Sequence, residues 1–190
     1  MTAGLILAAG ESRRMGTPKA LLRYKDESFL DTLIGLFQAR CAPVIVVLGA
    51  SAQDVRAATT RAATFVENTH WQSGQTSSMQ CGLRAVPPDC DGVLFTLVDH
   101  PSVALATLDA LLAGNGRLLR VPRYQGKRGH PIWLSRDLVP EFLTLPETGA
   151  ARDVVRSHVA ETEFIDVDDP GIVADIDDPE AYRNLIGATV

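Results

Sequence analysis

Long apolar runs, paired cysteines and clustered histidines are all missing from this 190-residue chain, and each absence removes a class of protein. No stretch approaches the roughly 18 uncharged apolar residues of a membrane-spanning helix. Residues 1 to 10 lack the basic start and long apolar centre of a secretion signal, so a cytoplasmic protein without a membrane partner is expected. Cys41, Cys81 and Cys90 are odd in number and form no Cys-x-x-Cys. Ordinary reduced thiols are therefore expected, not a disulfide framework or a structural zinc site. His70, His100 and His158 show no metal-ligand spacing, and no Ser, His and Asp constellation stands out. There is no repeat and no low-complexity segment, and 46% hydrophobic with 22% charged residues suits one globular domain over residues 1–190.

Positive charge is also short: 18 Lys and Arg stand against 23 Asp and Glu, for a net charge of −5. What there is lies in two pieces. Residues 10 to 25 hold Arg13, Arg14, Lys19, Arg23 and Lys25, and residues 117 to 128 hold Arg117, Arg120, Arg123, Lys127 and Arg128. Residues 163 to 180 carry eight acids and no base. Taken singly, each run reads as a solvated face. Together, the two basic pieces in an acidic chain suit a compact polyanion better than duplex nucleic acid, whose binders are usually basic over a whole face.

What is present is an alternation of strand and helix. Residues 4 to 8 read as a buried strand. Between Ser28 and Cys41 the residues Phe29, Leu30, Leu33, Ile34 and Phe37 form one helical stripe, and residues 44 to 48 make a second continuous apolar run. Helices are expected at 52 to 62 and 77 to 86, a short strand at 64 to 66, and a third apolar strand at 92 to 98. Uniformly apolar strands between amphipathic helices indicate a mainly parallel sheet covered on both faces, an α/β fold. Residues 118 to 121 and 131 to 134 flank the polar segment 123 to 130, which reads as a projecting β-ribbon. Helices near 136 to 144 and 149 to 158, a strand near 163 to 167 and a last helix from Pro179 complete the pattern.

The chemistry is concentrated after the first strand, in Leu5-Ile-Leu-Ala-Ala-Gly-Glu-Ser-Arg-Arg-Met-Gly-Thr-Pro-Lys19. Glycines let backbone N–H groups approach oxyanions, and guanidinium and ammonium groups balance several negative charges in a small volume. Neither common nucleotide loop fits. Five residues separate Gly10 from Gly16 and Lys19 follows a proline, which excludes a P-loop; Ser12 stands where a dinucleotide fingerprint needs glycine. Ligands of parallel sheets bind at the carboxyl ends of the strands, so this loop and Asp99, at the end of the strand 92 to 98, are brought to one edge. On residues alone, Asp99 reads either as a turn residue before Pro101 or as a carboxylate for a Mg²⁺ that holds phosphate oxygens.

The run Leu7-Ala8-Ala9-Gly10-x-Ser12-x-Arg14-Met15-Gly16-x-Pro18-Lys19 resembles the signature of the nucleotidyltransferases that load nucleotides onto molybdopterin, specifically the molybdenum cofactor cytidylyltransferases. Four further segments share the resemblance. Asn68-x-x-Trp71-x-x-Gly74 followed by Ser77-Ser78 is one; Val98-Asp99-His100-Pro101 is similar to the family's Gly-Asp-Gln-Pro, departing from it at Val98 and His100. Gly129-His130-Pro131 and Asp175-Ile-Asp177-Asp178-Pro179-Glu180 are the others. The resemblance implies a three-layer α/β/α Rossmann-like nucleotidyltransferase fold. It assigns Arg14, Lys19 and Asp99 to catalysis, and Leu7, Ala8, Ala9, Gly10, Arg14 and Lys19 to the nucleotide together with Gly74, Gln75, Ser77 and Ser78. It places His130 on the acceptor side, and Asp99 with Asp177 at a Mg²⁺ or Mn²⁺ ion, with Asp175 in reserve.

The activity so implied is transfer of CMP from CTP to molybdopterin or its molybdenum form, giving the cytosine dinucleotide cofactor and pyrophosphate. A molybdenum hydroxylase would receive the product. The choice of CTP rests on Ala9, where guanylyl-transferring relatives typically carry glycine. Sugar-phosphate or polyol-phosphate nucleotidyltransferases share the opening motif, and a non-catalytic delivery factor or a redox enzyme could reuse the fold. An acceptor phosphate is already ionised at neutral pH, which agrees with the absence of a covalent nucleophile or a strong general base.

Overall fold

The computed structural model describes residues 1–115, 117–146 and 149–187. In chain order the first elements are β1 (Thr2–Ala8), a small hairpin of β2 (Arg23–Tyr24) and β3 (Glu27–Ser28), α1 (Phe29–Gln38), β4 (Val44–Leu48), α2 (Ala52–Ala58), β5 (Thr64–Glu67) and α3 (Gln75–Arg84). The second half adds β6 (Gly92–Leu97), α4 (Leu105–Leu112), β7 (Leu119–Tyr124), β8 (Lys127–Arg128), β9 (Ile132–Ser135), α5 (Val139–Leu143), α6 (Ala151–Ser157), β10 (Thr162–Asp166) and α7 (Pro179–Gly187). Among the described residues no helix is long and apolar enough to cross a membrane.

The main sheet runs β10-β7-β9-β6-β1-β4-β5, with β8 added to β7. The apolar runs at β1, β4 and β6 pair in parallel at its centre, with Leu5 of β1 between Ile45 and Phe95. Alternate residues of β1 feed two separate cores. Ala3, Leu5, Leu7 and Ala9 pack with Met79 and Leu83 of α3, Phe142 of α5 and Val154 of α6. Ile6 and Ala8 pack on the other face with Leu30, Leu33, Ile34 and Phe37 of α1, Val55 of α2 and Leu108 of α4. A strand buried on both faces needs apolar residues throughout, which is why these strands show no polar alternation. The expected three-layer α/β fold with a mainly parallel sheet is the one observed.

Helix α1 begins where the chain supplies its own cap. Ser28 Oγ accepts from Asp31 N at 3.0 Å and donates to Asp31 Oδ2 at 2.8 Å. Asp31 Oδ1 also accepts from the N–H groups of Thr60 and Arg61, both at 2.9 Å, tying the end of α2 to the start of α1. Burial would raise the Asp31 carboxyl pKa, but the N–H donors of Arg61 and Thr60 and the Ser28 hydroxyl hold it below the ordinary 3.8.

Several elements differ from their sequence expectation. Helix α2 stops at Ala58, because the chain turns there to meet Asp31. Helix α3 starts at Gln75, two residues early, behind Gly74 at φ 109°. The small β2–β3 hairpin has no periodic signal in its two paired positions. The polar segment 123 to 130 is a tight hairpin in which Arg123 faces Arg128 and Tyr124 faces Lys127. Its flanking segments enter the main sheet: β9 is inserted antiparallel between β6 and β7. Helix α6 begins at Ala151, two residues later than the expected 149, and Glu147 and Thr148 just before it lie outside the described residues.

The segregated charges of the sequence meet across this sheet. β10 pairs in parallel with β7, which places Arg123 opposite Asp166, and the two form a bidentate pair at 2.6 and 2.8 Å. Arg120 is buried, stacked 3.7 Å over the Trp133 ring, and donates to the Leu111 carbonyl at 2.8 Å. Asp169 is buried too and accepts from Thr107 Oγ1 at 2.6 Å and Ala104 N at 2.9 Å. The second basic run and the acidic run are therefore not plain solvated faces.

Candidate active site

The loop after β1 is folded by its own small residues. Ser12 adopts φ 55°, and its Oγ accepts from Lys19 N at 3.0 Å, closing the loop on itself. Arg13–Met15 form a 3-10 turn that ends at Gly16, whose φ of 68° suits glycine. A Cβ on Gly10 would meet nothing within 4 Å, so its missing side chain leaves open space at the cavity and is not required by packing. This loop roofs a cavity of about 450 Å³ at the carboxyl edge of β1 and β6, lined by Leu7, Ala8, Ala9, Gly10, Arg14, Lys19, Gly74, Gln75, Ser78, Asp99 and Asp177. Ser51, Val55, Trp71 and Gln72 also line it. None of these four was assigned a role from the sequence; only Trp71 sits in a recognisable motif.

Two carboxylates and two cations meet at the cavity floor. Val98 N donates to Leu7 O at 3.0 Å, which fixes the end of β6 beside β1 and delivers Asp99. Ile176 N donates to the Asp99 carbonyl at 3.0 Å, which brings the next residue, Asp177, alongside. Lys19 Nζ lies between them, 3.2 Å from Asp99 Oδ2 and 2.5 Å from Asp177 Oδ1. Arg14 Nη2 holds the other oxygen of Asp177 at 3.0 Å. The hydrogen bond from Lys19, its charge and the Arg14 contact hold the Asp177 carboxyl pKa below its ordinary value, against the opposing effect of burial. Asp175 does not line the cavity. Asp178 instead caps α7, accepting from Glu180 N and Ala181 N at 3.0 and 2.9 Å. Arg13 is 83% exposed and pairs with Glu11.

The Asn68 segment forms a side wall. Asn68 is buried, and its Nδ2 donates to Ser77 Oγ at 2.9 Å and Ser78 Oγ at 3.0 Å. Only Ser78 reaches the cavity. Ser77, expected beside the nucleotide, turns away, because its hydroxyl donates to the Gly74 carbonyl at 2.8 Å with the His70 carbonyl 3.1 Å away, and it faces a separate polar depression.

A second cavity of about 550 Å³ adjoins the first, with Gly74 and Gln75 common to both. Met79, Phe95, Ile132 and Phe142 give it an apolar floor, and Arg128, Arg152 and Arg156 stand around it. His130 lines this cavity and not the first. Its ring lies between Phe95, edge-on at 5.4 Å, and His100 at 5.2 Å. Burial, with the neighbouring His100, pushes the His130 pKa down to about 3. It is therefore a neutral hydrogen-bonding group at physiological pH, and the arginines carry the positive charge there.

Comparison with known proteins gives the family. Residues 4–162 fit the MobA-like NTP transferase domain. The chain belongs to that family. This MobA-like NTP transferase is 25% identical over 182 residues to the molybdenum cofactor cytidylyltransferase of Escherichia coli (strain K12), covering 94% of this chain and 92% of that protein. It is 29% identical over 192 residues to the purine catabolism protein PucB of Bacillus subtilis (strain 168), covering 94% and 93%. The crystal structure of Rv0371c from Mycobacterium tuberculosis H37Rv superposes with a TM-score of 0.82 at 35% identity, over 98% of this chain and 97% of that one. A structure of Rv0371c in complex with manganese gives 0.79 at 32% identity over the same shares.

The MobA-like NTP transferase is thus a nucleotidyltransferase, and its floor can be tested for a divalent cation. Asp99 Oδ1 is buried without a hydrogen-bond partner; the His100 Nε2 atom is 3.6 Å away. Among the described residues no cluster of three or more His, Cys, Asp or Glu side chains could hold a metal. Two carboxylates, one with an unpaired oxygen, suit a hard cation that completes its shell with substrate oxygens and water, the habit of Mg²⁺ and not of zinc.

Proposed function

We propose that this protein transfers CMP from CTP to molybdopterin or its molybdenum form, releasing pyrophosphate. The observation that carries the reading is the placement of Lys19, Arg14, Asp99 and Asp177 at the floor of one cavity, directly beside a second cavity with an apolar floor and three arginines. The first suits a triphosphate. The second suits a flat heterocycle that ends in a phosphate.

In this reading an oxygen of the acceptor phosphate attacks the α-phosphorus of CTP. The bond from that phosphorus to the α,β-bridging oxygen breaks, and its electron pair leaves with pyrophosphate. Asp99 and Asp177 would hold a Mg²⁺ ion, which neutralises charge on the phosphate oxygens. Lys19 and Arg14 supply preplaced positive charge where negative charge builds on the leaving group, so they stabilise the transition state more than the ground state. Neutral His130 and the arginines around it orient the acceptor, and no group on the chain needs to become covalently linked to the nucleotide.

The base preference is assigned to Ala9. Its methyl group lines the cavity at the foot of the loop and packs against Gly49, where any Cβ would lie 2.8 Å from both the Ala9 Cβ and the Trp71 Cβ. Gly49 thus leaves room for both the Ala9 methyl and Trp71, and a change of size at position 9 alters the packing beside this part of the cavity wall. Pyrophosphate release measured with CTP, GTP, ATP and UTP, each with molybdopterin and Mg²⁺, tests the reading. CTP is expected to be preferred, and Asp99→Asn and Lys19→Ala are each expected to lower kcat/KM by about 10² to 10³, the loss typical of a removed transition-state contact. Turnover with a phosphosugar and none with molybdopterin would replace the acceptor; unchanged rates in both variants would sink the site.

A further inference from the structure

We infer that Lys19 occupies the divalent-ion position in the ligand-free protein and vacates it when an ion binds, so that one displacement both loads the cation and frees the ammonium for the triphosphate. This deepens the reading above and rests on its two-carboxylate floor. The geometry is direct. Lys19 Nζ is within hydrogen-bond distance of one oxygen on each carboxylate, 3.2 Å from Asp99 and 2.5 Å from Asp177, and its side chain is only 13% exposed. Two carboxylates brought together at a half-buried floor repel each other unless a cation lies between them. Lys19 is the cation that the chain itself provides, tethered to the phosphate loop by its backbone N–H on Ser12 Oγ.

An ammonium and a divalent ion cannot share those oxygens. A cation coordinated by Asp99 Oδ2 and Asp177 Oδ1 at about 2.1 Å would stand where Nζ now stands. The rest of the floor is already arranged for the exchange. Arg14 keeps Asp177 Oδ2 at 3.0 Å, so that carboxylate stays in place after Lys19 leaves. Asp99 Oδ1, buried and unpaired, offers the incoming ion a further oxygen at no cost in broken hydrogen bonds. The displaced side chain has the cavity before it, lined by Gly10, Ser12 and Arg14.

The consequence is a coupling between metal and nucleotide. Without a triphosphate, the metal must break two ion pairs of Lys19 and leave the ammonium without a partner, so its affinity is low. With a triphosphate, Lys19 exchanges carboxylates for phosphate oxygens, and each ligand strengthens the binding of the other by the same factor. The enzyme therefore takes up metal and nucleotide together.

Two measurements test this on the intact protein. The first follows Mn²⁺ binding by electron paramagnetic resonance, with and without CTP. Wild type is expected to bind Mn²⁺ at least about tenfold more tightly with CTP than without. Lys19→Met is expected to bind Mn²⁺ alone about tenfold more tightly than wild type, which narrows the gap between binding with and without CTP. The second needs no variant: acylation of Lys19 by an amine reagent, read by mass spectrometry, is expected to rise on adding Mn²⁺ alone and to fall again on adding CTP. Lys19 reactivity that does not respond to Mn²⁺, or a Lys19→Met protein whose Mn²⁺ affinity is unchanged or weaker, overturns the exchange. Asp99→Asn separates the two levels. If it keeps Mn²⁺ binding, the two-carboxylate floor itself is wrong; if it abolishes binding while Lys19→Met has no effect, only the exchange is wrong.

Discussion

His130 shows how little a residue's identity says before its surroundings are known. The resemblance places this loop histidine on the acceptor side, and in the fold its ring is enclosed between Phe95 and His100, where burial pushes its pKa down to about 3. A histidine whose folded pKa is lowered resists protonation in the folded protein, while the unfolded chain takes up a proton near pH 6.5. The stability it contributes is complete above about pH 6.5 and is lost progressively as pH falls toward 3. We expect wild type to lose more stability between pH 7 and 5 than His130→Gln does, measured by urea midpoints at both pH values. Equal losses would show that His130 is protonated in the fold. Asp31 acts in a lower window, because its folded pKa lies below 3.8: its contribution is complete above that value and is lost as pH falls from there through the lower folded pKa. At this scale the sequence identified Arg14, Lys19 and Asp99 as a group but could not separate Asp177 from Asp175 or Ser78 from Ser77. In each pair the choice depends on which side chain the backbone turns toward the cavity, and that is set by contacts such as Ile176 to Asp99 and Asn68 to both serines.

At the scale of elements, the segment between β10 and α7 does the positioning. It crosses the sheet edge and is fastened at three places. Asp169 accepts from Ala104 N, Thr107 Oγ1 and Gly171 N; the Ile172 carbonyl accepts from His130 N at 2.9 Å; Ile176 N donates to Asp99 O. Gly129 lets the middle fastening form, since a Cβ there would lie 2.0 Å from the Ile172 oxygen. Gly129→Ala must push this segment away from the turn that follows β8, and Asp177 lies five residues beyond Ile172. We expect Gly129→Ala to weaken Mn²⁺ binding although residue 129 touches no carboxylate of the floor. Asp169→Ala should lower global stability by about 1 to 3 kcal/mol, the cost of leaving buried donors unpaired. Mn²⁺ titration of the first variant and urea unfolding of the second check these outcomes. The sequence showed the helices and apolar strands because each carries its own periodicity. It concealed the insertion of β9 and the course of this segment, because those depend on pairings between residues far apart in the chain, and an acidic run looks the same whether Asp169 is solvated or buried.

At the scale of the whole molecule, the candidate site is built from four segments that meet only in the finished fold: the loop after β1, the Asn68 to Ser78 wall, the end of β6, and Asp177. A ligand gripping all four binds the folded protein and has no counterpart in the unfolded chain. Its binding then adds to global stability by RT ln(1 + [L]/Kd), about 2.7 kcal/mol at a hundredfold excess over Kd. For a chain of this size each kcal/mol raises Tm by roughly 2 to 4 °C, so CTP with Mg²⁺ should raise it by about 5 to 11 °C. If metal and nucleotide enter together, either alone should give less than half that shift. Asp99→Asn should lose the metal-dependent part and retain any shift due to CTP alone, since the loop and its Arg14 and Lys19 remain. Scanning calorimetry of both proteins with CTP, with Mg²⁺ and with the pair decides it: additive shifts in wild type would mean that the two ligands bind independently, and an unaltered Asp99→Asn response would remove this carboxylate from the metal.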